Sequence, residues 1–243
     1  MKKYGSALGP AARLSVWKVL LLSVLTVGVQ ILLFLAAFWG WGSTEHITPS
    51  LEETVRVSGL SLAFAAGLVL VCAVLVLPGT ERGAKTGYTL RRLSVDERVL
   101  VLLWGGLNAL LLLLFWGMQT AVVLALSRHY LQTTLADTAN HQSLLIAFSR
   151  SPYLHALLPL WDWLVMARNL VCCAALGLSA AALPFHWRHG RKSWALLPLA
   201  ALAVIFFPSG MDNVISSAAG LMIFGSAIAL TASKVWRCSE HEE

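Results

Sequence analysis

The sequence predicts an all-α, polytopic membrane protein with six transmembrane helices and both termini in the cytoplasm. Three observations carry this. Of the 243 residues, 58% are apolar and 12% charged, where a soluble chain carries about 45–50% and about 25%. The apolar residues fall in blocks, most of them near the about 20 residues that a helix needs to cross about 30 Å of hydrocarbon. The basic residues gather in the short segments between blocks, on the side that the positive-inside rule assigns to the cytoplasm. This composition excludes a secreted enzyme, a disordered regulator and an ordinary cytosolic domain. The net charge of +6 reads as an orientation signal rather than a nucleic-acid footprint, so no nucleic-acid partner is expected.

The blocks predict spans at about 17–41, 57–77, 99–126, 160–183, 194–207 and 213–233, all within a single transmembrane domain, 1–243. The first follows a basic start (Lys2, Lys3, Arg13, Lys18). Its apolar run exceeds the about 7–15 residues of a signal-peptide core, so it reads as an uncleaved span. The loop after it is acidic, with Glu45, Glu52 and Glu53. The third block is long. The fifth is short and bounded by Pro198 and Pro208, which leaves five crossings as the alternative. Threaded from an inside N-terminus, the cytoplasmic side also receives Arg82, Lys85, Arg91, Arg92, Arg98, Arg188, Arg191, Lys192, Lys234 and Arg237. It then holds 14 of the 18 basic residues. Trp39, Trp41, Trp161, Trp163, Trp187, Trp194 and Trp236 sit at block ends, where indole favours the headgroup layer. Trp104 and Trp116 lie deeper and read as packing residues.

The loop between the second and third blocks is the most informative stretch. It opens with Pro78-Gly79, a chain break, and ends in Ser94-Val95-Asp96-Glu97. Serine followed by glutamate three residues later is the spacing of a capping box, in which each side chain accepts from the other residue's N–H. The third helix is therefore expected to start at Val95 and to run into its span.

With its Glu81-Arg82 pair, its segment Thr89-Leu90-Arg91-Arg92-Leu93-Ser94-Val95 and the apolar span from Val99, this loop resembles the coupling loop of type-2 ABC transporter permeases. The length and the predicted topology are similar to that family as well. The family's usual proline is replaced by Leu93-Ser94. Its short amphipathic helix before the first span has only Tyr4–Ser15 in its place. The resemblance implies a permease subunit, of export type, driven by a separate cytoplasmic ATPase. That ATPase would dock on Arg91, Arg92, Leu93, Ser94, Asp96, Glu97 and Arg98. It also implies a second permease copy or a related chain as partner. The alternative is a non-transporting accessory or sensor membrane protein that binds a ligand or partner through the outer segment, 128–159.

Other motifs exclude more than they support. Gly79-Thr80-Glu81-Arg82-Gly83-Ala84-Lys85-Thr86 approaches a phosphate-binding loop but has Ala84 where glycine must precede the lysine, and it follows no strand. Any ATP is therefore expected on a partner. Glu52-Glu53-Thr54-Val55-Arg56 resembles the motif of prenyl-protein proteases with one residue too few, which turns the arginine to another helix face. His129, His141 and His155 lack the close pairing of zinc ligands. No histidine lies at mid-span to hold a haem. Cys72, Cys172, Cys173 and Cys238 form no CxxC pair. Neither a metal nor a cofactor in this chain is expected, and no catalytic constellation is evident.

Polar residues inside spans remain. Gln30, Asn108 and Gln119 sit in apolar sequence, and the last two share a helix face. They read either as interhelical hydrogen bonds or as a pathway stripe. Asp162 and Arg168 are charged near the start of the fourth span and, six residues apart, face different ways. Intramembrane charges are functional candidates by default. Asn108, Gln119, Asp162 and Arg168 are therefore the candidate pathway residues. In the outer segment, Leu144, Leu145 and Phe148 predict one short helix, and Ser151-Pro152 predicts the start of a second.

Overall fold

The computed structural model of the protein describes residues 2–41, 50–77, 96–134, 141–160, 162–188, 190, 194–207 and 214–240. Every regular element among them is a helix: α1 (Lys2–Trp41), α2 (Leu51–Ser58), α3 (Leu60–Val76), α4 (Glu97–Thr133), α5 (His141–Arg150), α6 (Pro152–Leu157), α7 (Trp163–Arg188), α8 (Leu196–Phe206) and α9 (Val214–Glu240). The all-α class expected from the sequence is what the described residues present.

Among the described residues, four stretches are long and apolar enough to cross a membrane: Ser15–Gly40 within α1, α4, Trp163–Trp187 within α7, and Val214–Arg237 within α9. The expected second span is broken. Gly59, at φ +67°, ends α2 and starts α3, and the two helices bend by 48°. Only glycine holds that left-handed conformation at no steric cost. If the bent pair is one span, the described residues hold up to five such elements. The fifth block forms only α8, which at 11 residues is about 16 Å long against about 30 Å of hydrocarbon. Pro198 falls in its first turn, where the missing N–H has no helical acceptor to lose.

Contacts fix the direction of each helix. Thr26 of α1 faces Gly67 of α3, and Gln30 reaches the Leu60 carbonyl, so this pair is antiparallel. Phe38 meets Tyr130, so α1 and α4 run the same way. Gly105 meets Leu178 and Val101 clusters with Phe185, which makes α4 and α7 antiparallel. Arg168 touches Gly220 while Phe185 clusters with Val235, so α7 and α9 are parallel. One end of the bundle is covered by α5 and α6 and is the capped end. The other carries Arg98, Lys234 and Arg237 and is the basic end.

The central pair is α4 and α7. In the bilayer no hydrophobic force drives helices together, so close backbone packing at small residues must do so. At Gly177 an added Cβ would stand 2.5 Å from the Ala109 nitrogen and 2.9 Å from the Gly105 carbonyl oxygen. The two backbones touch there, and no larger residue fits. Of the apolar stretch in α7, 67% is buried, against 28% in α1 and 22% in α9. The last two helices are therefore peripheral.

Several finer expectations are corrected. The third helix starts at Glu97 rather than Val95. Asp96 has extended backbone (φ −60°, ψ 116°), and its carboxylate accepts from the Arg98 N–H at 3.0 Å. The partner proposed for Glu97 in a capping box, Ser94, lies outside the described residues. Tyr4–Ser15 is continuous with the first span rather than a separate helix. In α5 the buried face is Ala147 and Phe148, whereas Leu145 is exposed. The expected second short helix is present as α6, with Ser151 at its N-cap and Pro152 in its first turn. Trp39, Trp163, Trp187, Trp194 and Trp236 are exposed, and Trp104 is buried, which matches a belt and a packing role.

Candidate functional site

Gln30 of α1 is fully buried. Its amide nitrogen donates to the Leu60 carbonyl at 3.4 Å and to the Tyr153 hydroxyl oxygen at 3.1 Å. Leu60 opens α3 just after the Gly59 bend, so one amide ties the bend and the cap to α1. Burial pushes the Tyr153 phenol up, and the hydrogen bond from Gln30 offsets this only in part, so the hydroxyl stays protonated. The ring lies edge-on to Phe64, which also contacts Phe115 and Phe207. Gln30 is visible in the sequence as a polar residue in an apolar block. Nothing in the sequence marks Tyr153 as its acceptor, because 123 positions separate them.

Arg168 is a buried charge, at 1% exposure. Its Nε and Nη2 donate to the Asn169 Oδ1 at 3.4 and 3.2 Å, and Asn169 Nδ2 donates to the Ala156 carbonyl at 2.8 Å. Asn169 therefore clamps the guanidinium to the cap helix α6. Arg168 Nη1 has no hydrogen-bond partner among the described residues. Gly220 makes room for the side chain, since a Cβ there would meet Arg168 Cδ at 3.0 Å. Asn169 is the functional-looking residue that sequence reasoning overlooks. Its signal is an Arg-Asn dipeptide one turn into an apolar block.

Asp162 and Arg168 are not brought together. Asp162 pairs instead with His155, Oδ2 to Nε2 at 3.1 Å, on the surface of the capped end. Asn108 and Gln119 are both fully buried on the inward face of α4. Asn108 Nδ2 donates to the Gly177 carbonyl of α7 at 3.4 Å, an interhelical bond at the point of closest approach. Gln119 has no partner for either amide atom among the described residues. Neither residue lines the two cavities described next.

The first cavity, about 220 Å³, lies at the capped end between α2, α4 and α5, with Glu52 and Arg150 at its rim and Tyr130, Leu131 and Ala147 in its wall. The second, about 230 Å³, lies between α7, α8 and α9 towards the basic end. The Glu52-Glu53 pair that resembles a protease motif is the first turn of α2, capped by the Ser50 hydroxyl, which accepts from the Glu53 N–H at 3.3 Å.

Of the expected coupling residues, Arg91, Arg92, Leu93 and Ser94 lie outside the described residues. Asp96 and Glu97 form the start of α4. The Arg98 guanidinium stands 5.3 Å over the Trp236 ring of α9. Beside it, Val101, Trp104, Ala181, Ala182, Phe185 and Val235 form a small apolar cluster joining α4, α7 and α9. Among the described residues no three His, Cys, Asp or Glu side chains come together as a metal site. Cys72, Cys172 and Cys173 are buried free thiols. No protein-family model, curated protein or solved structure matches the chain.

Proposed function

We propose that this chain is the transmembrane permease subunit of an ATP-driven transporter, worked by a separate cytoplasmic ATPase that docks on the 79–98 loop. The observation that supports this best is the continuity of α4. Its 37 residues make a rod of about 55 Å, nearly twice the hydrocarbon thickness. The rod starts directly after the loop, at the Asp96 cap, and ends under α5 and α6. A push at its foot reaches α7 and α9 through the cluster around Trp104 and Phe185, and reaches the cap through Tyr130. This is a rigid body joining a cytoplasmic drive to the far face, the arrangement that alternating access by rocking helices requires.

The reading includes six traverses with both ends in the cytoplasm. Because α7 and α9 are parallel, the chain must return from the basic end to the capped end between them. Among the described residues α8 is the element on that return, and it brings Phe207 against Phe64. The basic residues of the 79–98 loop, the 188–192 loop and the C-terminal end of α9 support the orientation. The thinly covered outer faces of α1 and α9, with Leu21, Val24, Leu32, Ile215 and Met222 exposed, suit lipid and a second permease chain. A second reading, a sensor that takes a ligand at the capped end, is favoured by the Glu52–Arg150 cavity.

The test is purification of the full chain in mild detergent through a C-terminal tag, with mass spectrometry of co-purifying proteins. The native chain is expected to bring an ATPase, and a variant with Leu93→Asp and Ser94→Asp to lose it. An intact preparation that reproducibly brings no ATPase overturns the permease reading in favour of the sensor.

A further inference from the structure

The 230 Å³ cavity between α7, α8 and α9 has chemistry that none of the preceding readings uses. Its α9 wall is Ala227, Leu230, Thr231 and Lys234, the i, i+3, i+4, i+7 face of one helix. Its α8 wall is apolar, with Leu199 and Leu202. Its α7 wall carries Ser179 and, two turns nearer the basic end, His186. Ser179 is 4% exposed, and its hydroxyl has no hydrogen-bond partner among the described residues. A serine in an apolar helix ordinarily bonds back to the carbonyl four residues earlier, as Ser23, Ser127 and Thr120 do here. Ser179 instead offers a donor beside a cavity.

The cavity is thus graded. Towards the basic end it is lined by a cation, Lys234, and by the buried imidazole of His186. About 10 Å deeper the Ser179 hydroxyl, unpartnered among the described residues, and the Thr231 hydroxyl line a cavity whose other walls there are apolar. The volume is below the about 300–1,000 Å³ that accommodates drug-sized molecules, so the occupant is slender. A slim molecule with an anion at one end, a hydrogen-bond acceptor further in and an apolar remainder is a phospholipid with an anionic headgroup. Its phosphate suits Lys234 and His186. Its ester carbonyl is the acceptor it carries below the phosphate, and its acyl chain matches Leu199, Leu202 and Leu230. Basic pockets between transmembrane helices are general sites for anionic lipid headgroups.

We propose that the crevice between α7, α8 and α9 binds one anionic phospholipid from the leaflet at the basic end, with Lys234 and His186 on the phosphate and Ser179 donating to an ester carbonyl. The site stands apart from the ATPase reading and holds with or without such a partner.

The experiment is a titration of the purified full chain in detergent with dioctanoyl phosphatidylglycerol, read as the shift in thermal unfolding temperature. Dioctanoyl phosphatidylcholine and chain-free glycerol phosphate are the comparison ligands. The glycerol lipid is expected to raise the unfolding temperature saturably, and the other two to do so far less. Lys234→Gln should weaken the apparent affinity about fivefold, and Ser179→Ala should weaken it without lowering the stability of the lipid-free chain. Lys18→Gln, an exposed cation on α1 outside the crevice, should leave the affinity unchanged. Equal shifts from phosphatidylcholine would overturn the proposal in favour of unselective chain binding. Equal shifts from glycerol phosphate would overturn it in favour of a free-anion site. An unchanged affinity in both crevice variants would place the lipid elsewhere.

Discussion

At the capped end, hydrogen bonds from fully buried side chains hold the helices: Gln30 joins α1 to α3 and α6, and Asn169 joins α7 to α6 while holding Arg168. At the basic end, α4, α7 and α9 meet through a small apolar cluster, beside which the Arg98 guanidinium stands over the exposed Trp236 ring. The first arrangement specifies a single geometry, because displacing either amide strands polar groups in hydrocarbon. The second tolerates sliding, since apolar contacts and a cation over a ring have broad minima. A transporter read in the sense proposed above would need this asymmetry, with a fixed cap and a foot that can move.

The largest effect should come from breaking the capped end at Asn169. Replacement by Leu strands the Ala156 carbonyl and removes the acceptor of a buried guanidinium. Loss of a hydrogen bond to a charged group, with the group left buried, costs about 3 kcal/mol, and unfolding in detergent should fall accordingly. Asn169→Asp separates the two roles. It keeps and strengthens the acceptor for Arg168 but sets a carboxylate oxygen against the Ala156 carbonyl in place of the donor, so it should recover only part of the loss. Equal damage in both variants would show that the clamp to α6, and not the arginine, is what matters.

A smaller loss is expected for Tyr153→Phe, which removes the acceptor for Gln30 but leaves the Leu60 carbonyl and the aromatic contacts with Phe64. Interhelical hydrogen bonds in membranes average about 0.6 kcal/mol with a maximum near 1.7, and a value near 1 kcal/mol in a denaturant titration fits this position. An effect as large as that of Asn169→Leu would mean that the cap, rather than the amide, sets the bend at Gly59.

The difference between the two ends also marks what could be foreseen. Helix class, the approximate place of four spans and the short helix at Ser151-Pro152 follow from local pattern, because block length and capping residues are properties of neighbouring positions. The Gly59 bend is not legible in the sequence, since an apolar run reads alike whether straight or broken, and a glycine in such a run is ordinarily tolerated. The start of α4 lies at Glu97 rather than Val95 because Asp96 takes the N-cap position, its carboxylate accepting from the Arg98 N–H. Arg168 and Asn108 were recognised as candidates from their apolar surroundings. Their partners Asn169 and Gly177 were not, because interhelical contacts depend on register between helices that sequence spacing leaves open.

The smallest effect is expected at the basic end, and it sharpens the comparison most. A cation over an aromatic ring at an exposed site contributes about 0.5–1 kcal/mol, and Arg98→Gln should cost no more than that in unfolding. Its consequence for motion should be larger than its consequence for stability. With Arg98 gone, the foot of α4 keeps the apolar cluster of Val101, Trp104 and Val235 against α9, but the Trp236 indole loses the cation above it. Hydrogen exchange at the first two turns of α4 should then accelerate severalfold, while exchange around Gln30 and Asn169 stays unchanged, because those amides are fixed from the opposite end of a bundle that remains folded. Exchange that rises equally at both ends would mean that the bundle loosens as one body, and the contrast between a fixed cap and a movable foot would fall with it.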